Sequence, residues 1–241
     1  MKYGDALKAA DQHIMFKHGM KEICIQNEKA VTFMAKPYEE WTGSSGHIHL
    51  SLMEKGTKNN AFYAGEDAVD PKSETMQHFL AGIIKYTKDF ALLFAPYVNS
   101  YKRFAPNTWA PVSIAWSKDN RSAGYRVVGD GNSLRFESRI SGADMNPYLA
   151  YSALIGAGLY GIEHKIELPD ELVGNAYEQE DIDRIPSSLH EAIWNWKNSD
   201  VVKEVLGEDV AKHYLEAARS EQNEFDSFVT TWERSRYFEQ S

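Results

Sequence analysis

Apolar and polar positions alternate along this chain in two distinct periods. From Asp5 to about Gln26, Leu7, Ala10, Ile14, the Lys17 stem, Met20 or Lys21, and Cys24 step at helical spacing, with Asp5 placed to cap the helix. Ala30 to Ala35 (AVTFMA) is β-branched and aromatic, which predicts a strand ended by Pro37. Tyr38 to Gly46 has loop composition. From His47 to Leu52 the period drops to two. His47, His49 and Ser51 share one face of a predicted strand, and Ile48, Leu50 and Leu52 the other.

Further on, Glu74 to Phe94 predicts one long helix with Met76, Phe79, Leu80, Ile83, Ile84, Phe90 and Leu93 on its apolar side. Asn99 to Pro111 is a loop bracketed by prolines. Three short strands follow, at 112–116, 124–128 and 133–138, separated by SKDNRS and VGDGN, which have hairpin composition. Asn146 to Glu163 predicts a buried helix. Beyond the turn-like segment 168–181, helices are predicted near 187–197 and 207–236. Neither repeats nor a convincing linker divide the chain, so the fold class is α+β in one domain, residues 1–241.

Composition narrows the function classes. At 241 residues and 43% hydrophobic, the chain can bury a sizeable core without disulfides or a structural metal. With 26 basic against 35 acidic residues the net charge is −9, which argues against nucleic acid as a partner. No apolar run approaches the ~20 residues of a membrane helix, and the first residues lack the apolar stretch of a signal peptide. The one cysteine, Cys24, sits between Ile23 and Ile25, which predicts a buried thiol in a reducing, cytoplasmic setting.

Against that acidic background, five arginines (103, 121, 126, 135 and 139) gather in one stretch beside predicted strands and turns. Surface arginines are ordinarily solvated; gathered like this they outline a site for an anion. GSSGHIHLS (43–51) offers loop N–H groups to an anion and two imidazoles pointing one way. Those histidines are either metal ligands or a solvated strand face. In RFESR (135–139), Glu137 lies between Arg135 and Arg139 on one face. That arrangement is either a mutual salt bridge or a metal-binding carboxylate flanked by arginines gripping phosphate or carboxylate. Nucleotide phosphates with a divalent cation fit the combination.

The order of the motifs VTFMAKP (31–37), GSSGHIHLS (43–51), NSYKRF (99–104), DNRSAGYR (119–126), RFESR (135–139) and NPYLAYSALIGAGLYGIEHK (146–165) resembles the catalytic domain of the glutamine synthetase family. The resemblance covers essentially the whole chain. It implies an antiparallel sheet flanked by helices, in the manner of guanidino kinases. It also implies ATP-dependent ligation of the glutamate γ-carboxylate to ammonia or an amine through γ-glutamyl phosphate, with Mg²⁺ or Mn²⁺ as the metal.

Carried over residue by residue, the resemblance assigns His47 and Glu137 to the metal and His49, Ser51, Arg126 and Arg135 to ATP. Gly43, Arg103 and Arg139 fall to glutamate, and Arg121 to the transferring phosphoryl group. Trp109 stands where ammonia-using members carry a glutamate that helps deprotonate ammonium, so it is expected in the acceptor pocket. That departure, with ELVGNAYE downstream, is similar to the γ-glutamylpolyamine or γ-glutamylamide branch. Family members assemble as rings with sites between subunits, which implies a homo-oligomer. They begin with a β-grasp domain and metal-binding glutamates that are not found ahead of the first helix here. The expectation is therefore a catalytic domain with an incomplete metal site, inactive alone and of smaller or ill-defined assembly. A non-catalytic nucleotide-binding or assembly module on the same scaffold is the alternative. A guanidino-type phosphotransferase finds no support in NPYLA or NSYKR.

Overall fold

The computed structural model describes residues 2–104 and 110–240. Helix α1 (Ala6–Gln26) begins at Asp5, whose carboxylate accepts the Leu7 and Lys8 N–H groups, as the sequence predicts. Strand β1 (Ile48–Leu50) follows, then α2 (Glu74–Tyr86), two single-turn helices α3 (Ala91–Phe94) and α4 (Val98–Tyr101), and strands β2 (Trp116–Lys118), β3 (Tyr125–Val128) and β4 (Arg135–Ser138). The C-terminal part is helical: α5 (Pro147–Glu163), α6 (Leu189–Asn198), α7 (Asp200–Leu206), α8 (Glu208–Asp226) and α9 (Thr231–Tyr237).

The four strands form one sheet in the order β1-β4-β3-β2, flanked by helices, an α+β architecture. It is antiparallel through β1, β4 and β3, and β2 joins the edge parallel to β3. VGDGN is a hairpin connection, but SKDNRS is not. Asp119, at φ 50°, sends the chain back so that β3 restarts beside β2 in the same direction. Residues 112–114 stay outside the sheet and instead bond to 183–185: the Ile114 N–H donates to Asp183 O at 2.6 Å and the Ile185 N–H to Val112 O at 2.9 Å, whereas the Ala115 carbonyl already accepts the Tyr125 N–H of β3 at 3.0 Å.

Two further expectations change. Residues 30–35 alternate in exposure like a strand, yet they have no ladder partner among the described residues; the Ala35 carbonyl instead accepts the Ser44 N–H at 2.8 Å. The predicted helix 74–94 breaks after Tyr86. There Thr87 turns its hydroxyl onto the Ile83 carbonyl and the Tyr125 hydroxyl, both at 2.7 Å. Cys24 is half-buried, and Ile23 and Ile25 face solvent, so the thiol is not a core group.

The buried face of the sheet rests on an aromatic cluster. Phe136 lies 6.1 Å from both Phe62 and Phe79, and 6.4 Å from Tyr125, measured between ring centroids. Beneath it α2 and α5 cross at van der Waals distance, because Gly82 meets Gly161 and Gly158 meets the Phe79 ring with no Cβ intervening. This packing holds the other face of the sheet, with its histidines, arginines and Glu137, toward the outside. Among the described residues no helix is long and apolar enough to cross a membrane.

Candidate active site

The register of the sheet builds the site. His49 on β1 pairs with Glu137 on β4, and Glu137 pairs with Arg126 on β3, so imidazole, carboxylate and guanidinium lie in one row across three strands. The hydrophobic alternation sets which face they take. Ile48 of β1, Phe136 and Ser138 of β4, and Tyr125 and Val127 of β3 point into the core, leaving His49 and Arg126 on the outer face.

Glu137 is the hub and only 4% exposed. Arg126 Nη1 donates to one of its oxygens at 3.1 Å, and Arg139 Nη1 to the other at 3.0 Å. His47 Nδ1 lies 3.1 Å and His49 Nε2 3.7 Å from that second oxygen. Burial pushes the carboxyl pKa up, but the Arg126 hydrogen bond and the charges of Arg139, His47 and His49 outweigh it. The group therefore titrates below its ordinary range. The histidines respond oppositely. Burial and the neighbouring Arg139 push His47 down to about 4, and burial lowers His49 despite Glu137. Both imidazoles are neutral at physiological pH, the form that can bind a cation. Arg135 Nε donates to His49 Nδ1 at 3.2 Å, which the neutral ring can accept. Arg126 is bound on its other side by Asp119, on the loop leaving β2, and this partner raises the guanidinium pKa.

Next to this row lies Arg103, 1% exposed. Its guanidinium donates to the Ile140 carbonyl and, at 3.4 Å, to Ser45 Oγ. Burial lowers its pKa to about 10, against the attraction of Asp144, so it stays cationic near neutrality. Gly43 crosses directly over its stem: a Cβ there would fall 2.7 Å from Arg103 Cγ and from the Ala35 carbonyl oxygen. Only glycine allows that approach.

The structure thus brings together His47, His49, Arg126, Arg135, Glu137 and Arg139, with Gly43 and Arg103 alongside. Ser51 is exposed just past β1, with no hydrogen bond or ion pair to the cluster among the described residues. Arg121 is exposed on the 119–124 loop and reaches the cluster only through its charge on Asp119. Trp109 lies outside the described residues.

Three residues that sequence reasoning missed belong to this neighbourhood. Asp119 anchors Arg126. Asp144 accepts the Ser100 hydroxyl at 2.6 Å and attracts Arg103, its own pKa raised by burial. The Tyr177 phenol lies within electrostatic reach of both Arg139 and Arg103. An acidic residue beside an arginine motif, as in KDNRS, is the signal that could have found Asp119. Asp144 and Tyr177 come from distant segments and left none.

For a divalent cation the donor set fits in part. Neutral His47 and anionic Glu137 are suitable ligands, yet both Glu137 oxygens already carry guanidinium bonds. Among the described residues, no group of three or more His, Cys, Asp or Glu side chains is placed so that it could hold a metal ion. A hard cation takes about six oxygen ligands, so phosphates and water would have to complete its shell.

Comparison with known proteins places this geometry. The family model described as "Glutamine synthetase, catalytic domain" matches residues 1–237. The chain belongs to that family. It is 47% identical over 238 residues to the gamma-glutamylethanolamide synthetase of Streptomyces coelicolor, covering 99% of this chain and 50% of the relative. It is 38% identical over 242 residues to the glutamate–isopropylamine ligase of a Pseudomonas species, covering 99% and 52%. A solved structure described as a GmaS/ADP complex superposes with a TM-score of 0.89 at 32% identity, covering 98% of this chain and 56% of that one. The chain therefore spans about half the length of the relatives it matches.

Proposed function

We propose that this chain supplies the nucleotide- and glutamate-binding half of an ATP-dependent glutamate–amine ligase. The observation that carries the reading is Glu137, a buried carboxylate held between Arg126 and Arg139 and facing two neutral imidazoles. Such a centre concentrates positive charge around one anionic oxygen pair, which suits phosphates and a divalent cation together.

In the reaction the glutamate γ-carboxylate oxygen attacks the γ-phosphorus of ATP, and the bond to ADP breaks. The amine nitrogen then attacks the acyl carbon of γ-glutamyl phosphate. Phosphate leaves, and the nitrogen gives up its proton. Arg126 and Arg135, with His49 and Ser51, hold the ATP phosphates. Arg139 and the buried Arg103 grip glutamate carboxylates, with the Gly43 backbone beside them. Arg121, on its exposed loop, meets the transferring phosphoryl group, and the acceptor pocket falls to Trp109. His47 and Glu137 would hold Mg²⁺ or Mn²⁺, which would neutralise phosphate charge. The relatives' names favour an organic amine as acceptor, since one makes an ethanolamide and the other uses isopropylamine. A homo-oligomer that completes the site fits the two-donor metal centre, because two protein ligands leave most of a hard cation's coordination shell to other groups.

The test is product formation from ATP and glutamate with ethanolamine, isopropylamine, polyamines and ammonia, alongside calorimetric titration with ADP and Mg²⁺. Nucleotide binding without turnover by this chain alone is the expected result. Robust turnover would overturn the incomplete metal site, and absence of nucleotide binding would overturn the ligase reading.

A further inference from the structure

Ahead of the histidine strand the chain makes a closed excursion. The Ser44 N–H donates back to the Ala35 carbonyl at 2.8 Å. Lys36 and Asn99 exchange two hydrogen bonds at the base, at 3.0 and 2.9 Å. Inside the loop, Lys36 Nζ donates to the Trp41 carbonyl. A loop tied at its ends and across its middle has a fixed shape, as compact surface loops that carry function do. Its tip holds Tyr38 and Trp41, with ring centroids 4.4 Å apart and planes tilted by 50°. Neither ring is in the core: Tyr38 is 56% and Trp41 62% exposed, and Glu39 and Glu40 between them face solvent.

The braced loop keeps the two rings in water, with two carboxylates between them. The place is also specific. Trp41 is two residues from Gly43, so its Cα lies within about 8 Å of the Gly43 Cα, which presses on the Arg103 stem. Exposed aromatic faces with flanking carboxylates recognise organic cations, because the ring quadrupole attracts an ammonium whose alkyl part also covers apolar surface.

We infer that Tyr38 and Trp41 recognise the alkylammonium group of the amine co-substrate at the glutamate-site rim and so set which amines the protein accepts. The inference rests on the ligase reading above for the word co-substrate. The Tyr38–Trp41 pair supplies the aromatic surface, and Glu39 and Glu40 draw in the charge. The choice between a small ammonium ion and a substituted one is then made before the amine reaches the γ-carboxyl, since ammonium lacks the alkyl surface that the rings cover.

The experiment follows the tryptophan indole N–H signals of the ¹⁵N-labelled protein by NMR, with the Trp41 signal assigned by its loss in Trp41→Phe. Isopropylammonium and ethanolammonium are titrated, with isopropanol as the uncharged control and glutamate in a separate arm. The expected result is a saturable shift of the Trp41 signal with the alkylammonium ions. Tyr38→Leu is expected to weaken it roughly 2- to 30-fold, the range of a cation–π contact, and Glu39→Gln with Glu40→Gln to weaken it further. All four side chains are exposed, so these variants retain the fold, which circular dichroism verifies. A Trp41 signal unmoved by the amines, or moved equally by isopropanol, overturns the inference. So does a signal moved by glutamate alone. Calorimetric titration with ADP and Mg²⁺ separates the two levels. Nucleotide binding with a silent Trp41 removes the amine site and leaves the ligase reading standing. Absent nucleotide binding with a responsive Trp41 overturns the ligase reading, and the site is then no longer that of a co-substrate.

Discussion

Replacing Gly43 with alanine places a methyl carbon 2.7 Å from both the Ala35 carbonyl oxygen and Arg103 Cγ. Neither neighbour yields easily. The Ala35 oxygen is fixed by the Ser44 N–H, and the Arg103 head is bound to Ile140 and Ser45 in a side chain only 1% exposed. Overpacking a site that cannot relax costs roughly 1–3 kcal/mol. For a chain of this size each kcal/mol lowers Tm by about 2–4 °C. Urea unfolding of Gly43→Ala is therefore expected to show a lower midpoint with an unchanged slope. Gly19→Ala is the control: it lies inside α1 with nothing within 4 Å of the added carbon, and a helical Gly-to-Ala change stabilises by about 0.5–1 kcal/mol. The two substitutions should move the midpoint in opposite directions. A Gly43→Ala midpoint equal to or above the parent's would refute the close approach of the loop to Arg103.

Gly82→Ala should be harsher, at or above about 3 kcal/mol, because its methyl would lie 2.2 Å from the Ala157 carbonyl oxygen and force α2 and α5 apart; loss of cooperative thermal unfolding is the readout. Asp144 supplies a pH test. Its raised pKa means the native state favours the protonated acid, so its contribution to stability is fullest below the unfolded pKa and is lost as pH rises through the folded value. Asp144→Asn, which can still accept the Ser100 hydroxyl, should gain stability relative to the parent between pH 4 and pH 7; a gain that does not grow with pH contradicts the raised pKa.

The local parts of the site were legible in the sequence and the nonlocal parts were not. Period-two alternation is enough to put His47, His49 and Ser51 on one face, and residue spacing puts Arg135, Glu137 and Arg139 together. What no local pattern carries is the register that sets His49 and Arg126 on either side of Glu137, since β1 and β4 are joined across almost ninety positions. The same reason explains the failures. Residues 30–35 have the composition and alternation of a strand, but pairing needs a partner, and the Ala35 carbonyl is taken by the loop instead. The apolar stripe of 74–94 is continuous. It was the Thr87 hydroxyl, bound to Ile83 and to Tyr125 of a distant strand, that marked where the helix stops. Asp144 and Tyr177 gain their meaning only from the arginines that the fold brings to them.

The central claim is that the arginines around Glu137 hold nucleotide phosphates. Calorimetric titration of ADP with Mg²⁺ into the protein and into Arg126→Gln tests it most directly. Charge-assisted hydrogen bonds contribute about 1.5–3 kcal/mol, so the parent should bind and the variant should bind roughly 10- to 150-fold more weakly. Equal affinity in both, or no binding by the parent, would contradict the claim.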